Sequence, residues 1–156
     1  MNPVEALAEK FDDVSWEDSH GQAVARVPAA RWREFAEAVR DHGFEMCVDV
    51  TAVDWRRSRP ERFEVVANLV SVSQKARLRM ITTVDGDSPV LASLVPVWPG
   101  ANFAEREVYD MFGITFEGHP DMTRILMPDD WEGHPLRKDF GVGSVPVQFK
   151  EAPKVT

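Results

Sequence analysis

Only one cysteine, Cys47, stands among the 156 residues. A lone thiol excludes an internal disulfide, a paired-cysteine redox site and an iron–sulfur cluster held by cysteines, which needs several thiolates. It fits a reducing, cytoplasmic compartment. Basic excess is missing as well: 18 Lys and Arg against 26 Asp and Glu give a formal charge of -8, the reverse of the balance expected of a nucleic-acid binder. No apolar run approaches the roughly 20 residues that a membrane helix needs. Residues 1–10 have neither the basic start nor the apolar core of a signal peptide. Membrane association is therefore expected only through partners. No phosphate loop, dinucleotide fingerprint or nucleophile elbow occurs, and Gly141 and Gly143 form a bare Gly-x-Gly with no helix after it.

What the chain does have is the composition of one globular domain, 44% hydrophobic and 28% charged, long enough to bury about two-thirds of its unfolded surface. Pro3, followed by Val4, Ala6, Leu7 and Phe11, predicts a short helix capped from Asn2. The acidic stretch 5–18 reads as solvated. Residues 22–27 form a plausible first strand. Trp32, Phe35, Ala36 and Val39 fall at helical spacing in 29–42, which Gly43 closes. Three segments then alternate with period two: Phe44, Met46, Val48, Val50 and Ala52; Phe63, Val65, Ala67 and Leu69; Ala76, Leu78, Met80 and Thr82. Asp85-Gly86-Asp87 ends that run as a turn, and Ser88-Pro89 is expected to open a short helix through Leu94, interrupted at Pro96. The pattern predicts an α+β fold: a two-layer sandwich, mainly an antiparallel four-stranded sheet with helices on one face, then an irregular C-terminal segment. Residues 1–140 are expected to make one domain and 141–156 an extended tail. The loop 55–62 carries Arg56, Arg57, Arg59 and Arg62 against Glu61, either a solvated hairpin tip or a grip for an anionic surface.

From Trp98 onward the sequence changes character. Asn102 can cap a helix over 103–112 that Gly113 ends, with Ala104, Val108 and Met111 as its apolar stripe. Phe103, Glu107 and Asp110 fall together on another side, and Arg106 lies four residues before Asp110, within pairing reach. Two carboxylates on one helical face are the arrangement of general acid–base catalysis or of a hard metal site. Arg106, Arg124 and Arg137 supply enough cations to neutralise them as ion pairs, which is the favoured reading. Residues 113–140 then run with little periodicity and hold two Gly-His-Pro tripeptides; so long an irregular stretch is usually functional or ordered by a partner. His119, Asp121, His134 and Asp139 could in principle bind a metal, but their spacing matches no metal motif. Arg137, Lys138, Asp139 and Phe140 form the kind of mixture found in protein–protein interfaces.

Residues 98–140 resemble the signature region of the C-subunit family of respiratory NADH-quinone oxidoreductase (complex I). The likeness rests on WPGANFAEREVYDMFGI, GHPDMTRILM and GHPLRKDF in that order, and an Asp54-Trp55 turn among the strands also fits. The resemblance implies an α+β subunit in the hydrophilic arm, peripheral on the cytoplasmic side of the cell membrane. It would pack against the D-subunit foremost and also lie near subunits B and I. It would hold no cofactor itself: NADH, flavin, iron–sulfur clusters and quinone would be handled on other subunits. Glu105, Arg106, Glu107, Asp110, His119, Arg124, His134, Pro135, Arg137, Lys138 and Asp139 match the family's motif, and their implied role is to fold this region and dock neighbours. The alternative is an independent metal-assisted hydrolase using Glu107, Asp110, His119 and His134.

Overall fold

Alternating apolar positions make one face of each strand greasy, and that face decides where the helices sit. The computed structural model describes residues 3–141 and Gly143; of the expected tail 141–156, all but these two glycines lies outside the described residues, as does the expected cap Asn2. The order is α1 (Pro3–Lys10), β1 (Ser15–Ser19), β2 (Gln22–Arg26), a 3-10 turn at Ala29–Arg31, α2 (Trp32–Asp41), β3 (Met46–Asp54), β4 (Phe63–Ser71), β5 (Ala76–Val84), β6 (Val90–Ala92), α3 (Ala101–Phe112) and β7 (Thr115–Glu117). Val50 and Ala52 of β3, Phe63, Val65, Ala67 and Leu69 of β4, and Leu78 and Met80 of β5 point into a core shared with Leu7 of α1, Phe11 just after it, and Trp32 and Phe35 of α2. Each large side chain buried there contributes about 1.5–3 kcal/mol. Trp98 closes the core by donating its indole N–H to the carbonyl of Phe44 at 3.0 Å.

The α+β class holds, but the sheet differs from the four-stranded antiparallel expectation. It has five strands in the order β1-β2-β5-β4-β3, and β2 runs parallel to β5 while its other pairings are antiparallel. The extra strand, β1, lies in the acidic stretch expected to be solvated. Its alternation is masked by charge: Trp16 packs inward against Phe35 with ring centroids 5.9 Å apart, while Glu17 faces outward and pairs with Arg26 at 3.1 Å. On the same outward face Arg26 and Arg59 both reach Glu64, at 3.4 and 2.7 Å, a half-exposed ladder that contributes roughly 1 kcal/mol per pair at most.

The expected helix after Ser88-Pro89 is a strand instead. Only six residues separate Pro89 from Pro96, too few for a stable helix, and Val90–Ala92 pairs in parallel with Thr115–Glu117. Helix α3 also begins earlier than expected, at Ala101, with Gly100 rather than Asn102 at the cap position and no side-chain cap bond. Its buried positions are Ala101, Glu105, Val108, Asp110, Met111 and Phe112, whereas Ala104 is only half-buried. The helix therefore sits rotated from the expected stripe, with an acid in its core-facing row, and packs mainly against β3. Val108 is 2% exposed, so Val108→Asp would place an unpaired charge between helix and sheet. The expected result is a chain without cooperative thermal unfolding, read by circular dichroism.

Candidate docking interface

A segment without ladder hydrogen bonds must satisfy its backbone by other means, and residues 118–140 do so largely through side chains of α3 and their own. Asp110 is wholly buried. Its Oδ1 accepts from Arg124 Nη1 at 2.6 Å. Its Oδ2 accepts the backbone N–H groups of Ile125, Leu126 and Met127 at 3.1, 2.7 and 2.9 Å. Burial opposes its charge, yet the Met127 N–H, the Arg124 guanidinium and the other two N–H groups together hold its carboxyl below the usual carboxylate range. Arg124 continues outward to the carbonyl of Gly133 at 2.9 Å. The expected pairing of Arg106 with Asp110 does not form. Arg106 instead donates to the carbonyls of Thr123 and Arg124 at 3.1 and 3.0 Å, so both arginines strap the same stretch.

The histidines of the two Gly-His-Pro tripeptides are both anchored through their rings to backbone of α3. The Asp121 N–H donates to His119 Nδ1 at 2.9 Å, so the proton sits on Nε2 and is donated to the carbonyl of Asn102 at 3.0 Å. His134 Nδ1 lies 3.0 Å from the carbonyl of Asp110; a carbonyl only accepts, so Nδ1 carries the proton. Burial pushes the pKa of His134 down. Its ring lies against Gly113, where φ is +73° and an added Cβ would sit 2.6 Å from His134 Cδ2; glycine here both ends α3 and makes room for the ring. Pro135 follows half-buried. Arg137 Nε then donates to the carbonyl of Phe112 and Nη2 to that of Asp87 at 3.0 Å, placing a cation at the C-terminal end of α3.

A second knot ties the segment to the sheet. Asp54 accepts from Arg62 through both oxygens, at 3.1 and 2.9 Å, and also from the N–H groups of Arg56 and Lys138 at 3.0 and 2.9 Å. Arg62 reaches on to Asp139 at 2.8 Å, and Arg56 lies 3.5 Å from the same carboxylate. Arg59 pairs with Glu64 and covers Trp55, 4.1 Å from its ring centroid. Three of the four arginines in the loop 55–62 thus neutralise acids of this chain. Sequence reasoning misses Asp54 as the partner that gathers them; the clue is an acid ending a strand just before an arginine-rich loop.

Glu105 is a further buried acid. Its Oε2 accepts the Ser93 hydroxyl at 2.6 Å and its Oε1 the Leu94 N–H, holding the link between β6 and α3. Burial outweighs these bonds and pushes its pKa from 4.5 up to about 7. The clue in the sequence is its place three residues before Val108 and four after Ala101. Burial also pushes the Cys47 thiol up to about 12, which makes it a poor nucleophile.

The residues of the hydrolase alternative do not converge. Glu107 is exposed while Asp110 is buried, His119 spends both ring nitrogens on backbone, and among the described residues no group of three or more His, Cys, Asp or Glu is placed to hold a metal. A cleft of about 660 Å3 lies elsewhere, among His20, Lys75, Arg77 and Arg79.

Two outcomes follow from the buried acids. Asp110→Asn leaves Arg124 without its charge partner and should cost about 3 kcal/mol in denaturant unfolding, with earlier proteolytic cutting in 121–137. Glu105 has a folded pKa above its unfolded one, so its contribution is full below pH 4.5 and lost as pH rises through about 7. Relative to Glu105→Gln, the natural chain should lose on the order of 2 kcal/mol of stability between about pH 5 and 8, as read by paired melting curves.

Comparison with known proteins places this geometry. The family model described as the respiratory-chain NADH dehydrogenase 30 Kd subunit matches residues 25–145. The NADH-quinone oxidoreductase C-subunit of Saccharopolyspora erythraea is 47% identical over 122 residues, 76% of this chain and 49% of the relative. That of Mycolicibacterium gilvum is 38% identical over 159 residues, 96% of this chain and 70% of the relative. The chain spans about half the length of several curated relatives it matches. Among solved structures, the trypsin-resistant fragment (1-134) of Nqo5 superposes with a TM-score of 0.70 at 35% identity, covering 76% of this chain and 98% of that one. A chain of the membrane-bound sulfane sulfur reductase, an archaeal respiratory membrane complex, superposes with a TM-score of 0.79 at 26% identity, covering 98% and 96%. With 25–145 matched, and the three signature motifs lying inside that stretch, the chain belongs to the family of the respiratory-chain NADH dehydrogenase 30 Kd subunit, the C-subunit of NADH-quinone oxidoreductase.

Proposed function

We propose that this chain is a structural and assembly subunit of the peripheral arm of a proton-translocating NADH-quinone oxidoreductase, supporting electron transfer from NADH to quinone without holding a cofactor. Its relatives carry that enzyme's name. The observation that carries the structural role is the consumption of the signature's ionisable groups by bonds within the chain: Asp110 by Arg124 and three N–H groups, Glu105 by Ser93 and Leu94, Asp139 by Arg62. A reaction centre needs a group left free to meet substrate; these groups are spent on folding. NADH, flavin, iron–sulfur clusters and quinone belong on other subunits in this reading.

The D-subunit is the foremost partner in this reading, with subunits B and I nearby, and the attachment is peripheral on the cytoplasmic side of the cell membrane. No helix among the described residues is long and apolar enough to cross a membrane, so contact with the bilayer is assigned to the rest of the complex. The likeness to a chain of the sulfane sulfur reductase complex supports a fold used in more than one respiratory assembly, which makes the electron donor a point to measure. The test is co-expression with the D-subunit, and restoration of membranes that lack this chain. The expected outcome is a colourless chain on its own, stable co-elution with the D-subunit, and recovered NADH:quinone activity. Stoichiometric metal in the isolated chain, or no association with the D-subunit, would overturn the assignment.

A further inference from the structure

The signature segment draws Asp110 and its arginines inward and leaves several of its large apolar side chains outside. Phe103 is 65% exposed, Leu126 61%, Leu136 53% and Ile125 39%. Half of the large hydrophobics exposed among the described residues thus lie on α3 and the segment strapped to it; the rest are Met46, Val48, Val72 and Val90. The bonds already described bring the backbone of all four onto or against α3. Phe103 adjoins Asn102, whose carbonyl anchors His119. One turn on, Arg106 holds Thr123 and Arg124, and Asp110 then fixes Ile125 and Leu126 by their N–H groups. Leu136 donates its N–H to the carbonyl of Met111 at 3.0 Å and shares a shallow cavity with Glu107.

The exposed charge around this ridge is mainly acidic, with Lys138 as the exposed cation beside Leu136. Glu107, Asp121, Asp129, Asp130 and Glu132 are exposed, whereas Arg106, Arg124 and Arg137 are taken up by internal carbonyls and Asp110. Apolar anchors within a mainly acidic rim fit a partner whose apolar surface is flanked by lysine and arginine. We propose that the Phe103–Leu126–Leu136 ridge is the docking face of this chain for a neighbouring subunit that presents apolar side chains within a basic surround. This rests on the family-based assignment above and names the contact through which it acts. The buried acids and arginines position the ridge; the apolar side chains make the contact.

The test uses the full chain with co-expressed D-subunit, comparing the natural sequence with Phe103→Ser/Leu126→Ser/Leu136→Ser and with Glu107→Lys. Exposed side chains contribute little to folding, so the melting temperature of the triple variant should stay close to that of the natural chain. Phe103→Ser alone repeats the measurement if the triple variant melts early. The expected outcome is at least a tenfold loss of affinity for the triple variant. Glu107→Lys should weaken binding several-fold at low salt and lose that effect at about 0.5 M salt, where surface charges are screened. Undiminished binding by the triple variant overturns this inference and leaves the family-based assignment standing, as does tighter binding by Glu107→Lys. Failure of the natural chain to bind the D-subunit overturns both. A dimer of the natural chain that is lost in the triple variant assigns the ridge to a second copy and likewise overturns the proposal.

Discussion

Asp110 carries the largest share of the order in the last third of the chain. A carboxylate withdrawn from water is costly unless donors replace the lost hydration, and here one guanidinium and three consecutive N–H groups do so. The exchange works in both directions. The segment 125–127 has no strand or helix to satisfy its amides, and α3 has no other use for an acid at that position. Arg124 extends the arrangement to Gly133, and the carbonyl of Asp110 receives the ring of His134. One residue of a helix thereby sets the path of more than twenty residues without regular structure. Apolar contact alone leaves such a path free to slide, whereas bonds to particular backbone atoms admit one register.

The same device recurs at two other points. Asp54, at the end of β3, gathers Arg62 and the amides of Arg56 and Lys138, and fastens the end of the segment to the sheet. Glu105, within the buried row of α3, fastens the link after β6. The three acids answer their burial differently. Asp110 and Asp54 each have backbone N–H groups and a guanidinium, Arg124 or Arg62, and their pKa falls despite burial; Glu105 has a hydroxyl and an amide, and its pKa rises. A direct guanidinium partner separates an acid that stays charged from one that titrates near neutrality.

This arrangement links fold to the proposed function. A protein that positions its neighbours in an assembly needs a rigid surface rather than a reactive one. With Asp110 and its arginines spent on internal bonds, Phe103, Leu126 and Leu136 stay exposed on a frame that holds them in place. The uncovered face of the sheet is different in kind, since Arg26, Arg59, Glu17 and Glu64 neutralise one another there.

Much of this was legible in the residues. Period-two alternation marked β4, β5 and the second half of β3, whereas Met46 and Val48, expected on the same inward face, are exposed beside a register shift between Cys47 and Asp49; helical spacing marked α2 and α3, and the linked motifs of 98–140 marked the family. Those signals are local: a strand's inward face or a helix's apolar stripe is written within a dozen neighbouring positions. What the tertiary structure alone decided was the state of each charged residue and the edges of the sheet. Glu107 and Asp110, three residues apart, look alike on a helical wheel, yet one meets solvent and the other meets donors from 124–127. Strand β1 was hidden because its outward positions are acidic, and β6 because its partner, Thr115–Glu117, lies beyond the next helix. Desolvation and hydrogen bonding depend on which distant segments come to lie within about 3 Å, a quantity that no window of sequence contains.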